Sequence, residues 1–294
     1  MGSILSRAGW RWAIIGLALA LLAGCSALRL GYDRGPLLAR WWLDRYVDFD
    51  DAQLPLVKEG LGQWFAWHRS TQLSDYAQLL ARMREEAAQG ATAEQMCRWS
   101  DELLRRAVLA TEALLPQAAR VVPLLTPAQL DELQARLDKR NADWRKKVVQ
   151  PRPEERRRES AKRTVERIED FYGRLEPAQR QLVAASLEAS PFDAEGWQAQ
   201  RLAQQRDLVA TLRRLQAERA DPERALGALR ALHARLTEAP PPDPQSYAQR
   251  LRRHNCDFAA RLHNSTSTAQ RQHLRDKLGG WEADARVLAA ARGG

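Results

Sequence analysis

The spacing of apolar residues leaves this chain one class of structure. Leu130, Leu133, Leu137, Trp144 and Val148 recur at steps of three, four, seven and four, with Asn141 in the gap. Tyr247, Leu251, Phe258 and Leu262 repeat that seam around Asn255, and Leu226, Leu229, Leu232, His233 and Leu236 make a third. Such steps stack side chains on one face of a helix with 3.6 residues per turn. No window alternates Val, Ile and Thr with polar residues at period two, as a half-buried strand requires. Four of the 16 glycines lie in the first 24 residues, so the rest of the chain is poor in helix interrupters. The expectation is an all-α fold, an elongated multi-helix bundle of about nine or ten helices.

Helix starts are legible as caps. Thr92-Ala-Glu-Gln95 and Thr126-Pro-Ala-Gln129 fit the capping box, in which the hydroxyl takes an orphan amide and Gln reaches back. Pro127 sits where a first helical residue has no partner for its N–H anyway. Asp193, Asp221 and Asp243 are further cap candidates, and in the acidic group Asp44, Asp48, Asp50 and Asp51, either Asp48 or Asp50 suits a cap. Breaks are expected at Gly90, from Pro116 to Pro123, from Pro151 to Pro153, at Ser190-Pro191 and at Pro240 to Pro242. Three starts share one pattern: Leu125-Thr-Pro-Ala-Gln129, Leu175-Glu-Pro-Ala-Gln179 and Ser267-Thr-Ala-Gln270. Each such cap stabilises its helix by about 1 kcal/mol.

The N-terminus reads as an address. Arg7 and Arg11 precede ten residues, Ala13 to Leu22, that are too short to span a bilayer and fit a signal peptide. Leu22-Ala23-Gly24-Cys25 resembles a bacterial lipobox at every position. That resemblance implies cleavage before Cys25 and lipidation of it. Ser26 stands where an Asp would retain a lipoprotein at the inner membrane, which implies the periplasmic side of the outer membrane of a Gram-negative bacterium. The expected organisation is a signal peptide over 1–24, a lipidated tether over 25–34 and a helical periplasmic domain over 35–294. Lipidation leaves Cys97 and Cys256, an even pair in an oxidising compartment. Two readings stand: a disulfide, or two buried thiols, since Cys97 shares a stripe with Leu104, Val108 and Leu115.

Two further resemblances bear on function. Residues 125–129 match the Leu-Thr-x-x-Gln motif of the Spy/CpxP group of periplasmic helical proteins, while residue 176 is Glu in place of Thr and 265–270 lacks the Leu. This implies an all-α periplasmic protein with chaperone-like or stress-sensing work. Gly31-Tyr32-Asp33, Trp41-Trp42, Tyr46-Val-Asp48, Gln53, Trp67-His68-Arg69 and Leu73-x-x-Tyr76 resemble an uncharacterised proteobacterial lipoprotein family. That likeness supports the address and implies no activity.

Charge supplies the main candidate site. The chain carries net charge +9, and from Lys139 to Arg167 there are 12 Lys or Arg against five Asp or Glu. Arg145, Lys146, Lys147, Arg152, Arg156, Arg157, Arg158, Lys162 and Arg163 form its centre, an expected patch for an anionic partner: lipid headgroups, lipopolysaccharide phosphates or an acidic unfolded client. The plainer reading is a solvated helix pair. The periplasmic address argues against nucleic acid. Trp41, Trp42 and Tyr46 fit either a membrane interface or core packing, with core packing favoured by the apolar periodicity around them.

His254, Cys256, His263 and His273 match no zinc-ligand spacing, and residues 254 and 256 point about 200° apart on a helix. Nucleophile-elbow, phosphate-loop and metalloprotease motifs are absent. The expectation is therefore no catalysis, metal or cofactor. The chain reads as a lipid-anchored binding protein, chaperone-like toward unfolded or acidic clients, with a dedicated envelope-assembly partner as the alternative.

Overall fold

The structure, a computed structural model, describes residues 27–149, 152–237 and 246–291. The lipobox with Cys25, Pro151, and the expectations at Pro240 to Pro242 and Asp243 lie outside them. The described chain is all-α and contains no strand. Its helices are α1 (Ala27–Asp33), α2 (Gly35–Asp44), α3 (Leu54–Thr71), α4 (Leu73–Glu86), α5 (Ala93–Glu112), α6 (Leu115–Val121), α7 (Pro127–Trp144), α8 (Pro153–Tyr172), α9 (Pro177–Glu188), α10 (Ala194–Ala217), α11 (Pro222–Thr237), α12 (Tyr247–Asn264) and α13 (Thr268–Ala290). A 3-10 turn, Val122–Leu124, follows α6, and a π-helical stretch, Arg145–Val149, continues α7.

The count exceeds nine or ten because at three boundaries one helix follows the next with only one or two residues between them. Arg34 separates α1 from α2, Gln72 separates α3 from α4, and Ala113–Leu114 separate α5 from α6. Within the segment expected as a tether, residues 27–33 form α1. It is fastened to α13 by the Arg29–Asp284 ion pair at 2.8 Å.

The caps behave as the residue types dictate. Thr126 and Ser267 each accept the backbone N–H of the residue three along, and Gln129 and Gln270 each return a carbonyl oxygen to the cap N–H. Thr92 accepts from the Gln95 N–H, but the Gln95 side chain turns away to Glu86, so that box is half made. Asp193 and Asp221 cap α10 and α11. Ser246 caps α12, a start with no Glu or Gln signal beyond Gln249.

Two bodies of packing emerge. In the first lobe α3, α6, α7, α10 and α11 enclose a core that includes Leu61, Val122, Leu130, Leu133, Leu215 and Leu229. In the second, Leu79 and Met83 of α4 meet Leu274 and Leu278 of α13, beside a cluster of Leu175, Val183 and Leu262 from α8 to α12. The chain passes repeatedly between the lobes. Helices α3, α6, α7, α10 and α11 belong to the first, and α4, α5, α8, α9, α12 and α13 to the second. Cys97 on α5 and Cys256 on α12 form a disulfide with Cα atoms 5.3 Å apart, tying segments 159 residues apart. The expected α5 stripe does not hold along its length. Cys97 is buried against α12, but Leu104 is exposed because the middle of α5 runs out from under its neighbours.

Candidate functional site

The basic stretch folds into two unlike segments. The sequence after Trp144 keeps helical winding as a π-turn through Arg145–Val149, and α8 begins behind Arg152 with Pro153 in its first turn. No residue of α8 is buried, which fits its run of charges. The helix is held by others around it, so its cations are free to face solvent.

Lys147, Arg156, Arg157 and Arg163 converge on one groove of about 450 Å³ between the π-turn, α8 and the α9–α10 connection. Val148, Leu187 and the exposed ring of Phe192 supply its apolar wall. Two carboxylates, Asp193 and Glu195, stand at the rim, and Asp193 is already engaged as the α10 cap. Arg156 is half-buried and donates to the Val149 carbonyl at 3.2 Å, which fastens the π-turn to α8. Among the described residues, Lys147, Arg157 and Arg163 make no ion pair. The other predicted cations part from this groove. Arg145 donates to Gln198 on α10, Arg158 lies 3.7 Å from Glu159, and Lys146, Arg152 and Lys162 project from the surface.

Magnitude decides what this groove can hold. An exposed ion pair contributes about 0.2–1 kcal/mol. Four cations together therefore reach no more than about 4 kcal/mol, a Kd near millimolar. Useful affinity needs the apolar wall as well. The groove thus suits a ligand with anionic groups and apolar groups side by side. It offers guanidinium and ammonium donors, with the Ser160 hydroxyl beside them.

The cap motif that resembles Leu-Thr-x-x-Gln proves to be paired. Gln129 is buried, and its amide exchanges two hydrogen bonds with the amide of Gln53, at 2.7 and 3.0 Å. Gln53 belongs to a box of its own: Asp50 accepts from the Gln53 N–H, and Gln53 Oε1 accepts from the Asp50 N–H. In the second lobe Gln179 and Gln270 make the same exchange, both bonds at 2.8 Å. Each amide also donates to a carbonyl of the facing loop: Gln53 to Leu124, Gln129 to Asp48, Gln179 to Ser265 and Gln270 to Arg174. Two helix starts are thereby locked face to face in each lobe. Thr126 and Gln129 are structural fasteners here. The spacing Asp50-x-x-Gln53 was the available signal for the fourth box.

The residues 31–33, 67–69 and 76 also come together. Tyr32 Oη and His68 Nδ1 share a hydrogen bond of 2.9 Å, and Asp33 pairs with Arg69 at 2.9 Å. The Arg69 guanidinium lies over the Tyr32 ring, and Tyr76 stands beside His68. Burial pushes the Tyr32 hydroxyl up to about 12 and holds the His68 imidazole below its usual value, so both are neutral at pH 7. The cluster joins α1 to α3 and α4. Trp41 and Trp42, favoured for core packing, are instead exposed. The inward face of α2 is occupied by Gly35, Ala39 and Leu43, which leaves no room for them.

An apolar cavity of about 210 Å³ lies inside the first lobe, between Leu43, Phe49, Leu61, Ala118 and Val122. Only Gln117 adds a polar group to its wall. His263, considered above as a ligand, is fully buried with Nε2 donating to the Gln89 carbonyl, and Cys256 is spent in the disulfide.

The chain belongs to a family described as "Family of unknown function (DUF6279)", whose profile matches residues 45–233. That span holds the first lobe and the basic groove. No curated protein and no solved structure matches the chain.

Proposed function

We propose that this member of the family is a non-catalytic, lipid-anchored binding protein of the bacterial envelope, held by Cys25 on the periplasmic side of the outer membrane and chaperone-like toward unfolded or acidic segments. The observation that carries the binding reading is the groove between α8 and the α9–α10 connection. Lys147, Arg157 and Arg163 stand there beside Phe192 and Leu187. A partly unfolded acidic segment offers this combination of carboxylates and uncovered apolar side chains. The anchor rests on Leu22-Ala23-Gly24-Cys25 and the apolar run before it.

The test uses the full chain and the variant Arg157→Glu/Arg163→Glu, with aggregation of a reduced, unfolded acidic protein as readout. Neither side chain is buried, so the variant keeps the fold. Suppression by the wild-type chain that falls at least tenfold in the variant and weakens with salt is expected. Equal suppression by both would remove the groove from the reading. No suppression at any ratio would retire it.

A second reading has its own observation. Leu103 and Leu104 are exposed side by side on α5, about 100° apart round the helix. Such a patch suits one dedicated envelope partner. In-cell crosslinking from position 104 that yields one discrete protein, with no effect on generic clients, would favour it.

A further inference from the structure

We infer that α2 is a membrane-contact helix that lies along the bilayer surface and fixes how the body stands on it. The inference rests on the anchoring of Cys25 proposed above. It begins with a helix whose exposed face is the wrong one for water. Arg34, Leu37, Leu38, Trp41, Trp42 and Arg45 follow one another at steps of three, one, three, one and three. These steps trace a single helical stripe. Water-exposed helices place polar residues on such a stripe. Here Leu37, Leu38, Trp41 and Trp42 are each between 50% and 61% exposed.

The opposite face explains why they cannot turn inward. Gly35 is buried so closely against Phe65 that an added Cβ would lie 2.2 Å from the ring. Ala39 and Leu43 pack on the first core. The helix carries apolar residues on two faces, Gly35, Ala39 and Leu43 against the protein and Leu37, Leu38, Trp41 and Trp42 outside, with Arg40 and Asp44 on one flank between them. A helix of this kind needs cover on both sides.

The placement names the cover. Described residues begin at Ala27, two positions beyond Cys25. A lipid on Cys25 puts the bilayer within reach of α2. Tryptophan beside leucine, flanked by Arg34 and Arg45, is the composition of a helix seated at the headgroup boundary. Arg45 is exposed and its guanidinium lies over the Trp41 ring, 5.5 Å from the centroid, a pairing that suits an interfacial arginine. Ten residues make a helix about 15 Å long, half of the hydrocarbon thickness, so α2 lies flat and does not span.

The helix is also held rigidly. Asp33–Arg69 and Tyr32–His68 fasten the residues before it, and Arg136 donates to the Arg45 carbonyl at its end. A flat helix clamped in this way transmits a fixed tilt to the whole body. The lipid supplies attachment, and α2 supplies orientation.

The experiment reconstitutes the full chain into vesicles of zwitterionic and anionic phospholipid carrying bromine on the acyl chains, and reads tryptophan quenching. The comparison is Trp41→Phe/Trp42→Phe, which keeps the fold and removes the two reporters. Quenching is expected in the wild-type chain and should fall at least twofold in the variant. Quenching that is the same in both would overturn the proposal. So would a concentration-dependent dimer without vesicles that the variant Trp41→Ser/Trp42→Ser dissolves, since a second copy would then cover the face. Mass spectrometry of Cys25 and flotation of Cys25→Ser read the anchor separately. A chain without lipid on Cys25 refutes the anchor, while the Trp41- and Trp42-dependent quench still decides the fate of α2.

Discussion

Replacing Gln129 by Leu tests how the first lobe is fastened. The side chain makes four hydrogen bonds: Oε1 accepts from the Thr126 N–H at 2.8 Å and from Gln53 at 3.0 Å, and Nε2 donates to Gln53 at 2.7 Å and to the Asp48 carbonyl. Leu keeps the bulk and removes all four. Gln53 is not orphaned, because its amide still reaches the Leu124 carbonyl and its oxygen still takes the Asp50 N–H. The Thr126 N–H and the Asp48 carbonyl lose their partners. An unpaired buried backbone group costs about 1–3 kcal/mol, and both lie near the surface, where water recovers part of that. With the lost amide pair, the expected loss is about 3 kcal/mol for the first lobe.

The assay is urea unfolding of the full chain by circular dichroism, completed as a double-mutant cycle with Gln53→Leu. The cycle should return a coupling of about 1 kcal/mol or more, since the two amides share two bonds. Gln270→Leu should cost a similar amount in the second lobe, because its four contacts are equivalent. Gln95→Leu, from the half-made box, should cost less than about 1 kcal/mol. A loss below about 1 kcal/mol for Gln129→Leu, or no coupling to Gln53, would refute the reasoning.

Other outcomes follow from single features. Reducing the Cys97–Cys256 bond, or Cys97→Ser/Cys256→Ser, should remove up to about 5 kcal/mol by the loop-entropy argument, read as a lower melting temperature that reductant does not lower further in the double variant. Acid should destabilise the second lobe through His263. Nε2 donates to the Gln89 carbonyl, so Nδ1 must accept from the Tyr172 hydroxyl, and burial holds the imidazole neutral with Arg271 opposing a second charge. The folded value lies below the ordinary 6.5, so this stability is complete above pH 6.5 and lost as pH falls below it. Melting scans from pH 8 to pH 5 on wild type and His263→Gln check it, and an equal acid response in both would count against it. Gly35→Ala should cost about 1–3 kcal/mol and loosen α2, because Phe65 occupies the space a Cβ needs. Hydrogen exchange over residues 35–44 reads that release.

The fold class was legible because its signals are local. The seam Leu130, Leu133, Leu137 is buried as its spacing requires, and Asn141 fills the gap by donating to Gln205. Thr126 and Gln129 form the box their spacing indicates. The break at Gln72 carries no Pro or Gly to mark it, whereas the one at Arg34 is marked by Gly35 and by Pro36 in the first turn of α2. The basic stretch was legible as charge, but its division was not. Whether Arg145 or Lys147 faces the groove depends on the π-turn, which shifts register by one residue where no Pro or Gly marks it. The exposure of Trp41 and Trp42 was missed because an apolar stripe does not say which of its faces the body fills.

The order in which the helices meet sets when the molecule is finished. Helix α4 ends at Glu86, and the helix that covers its Leu79 and Met83 does not begin until Thr268. The first lobe needs nothing beyond α11, so it closes while α4 still waits. A chain that stops short of α13 therefore holds every helix of the first core and leaves Leu79 and Met83 of α4 without their cover. Full-length synthesis and concealment of those two side chains are the same event.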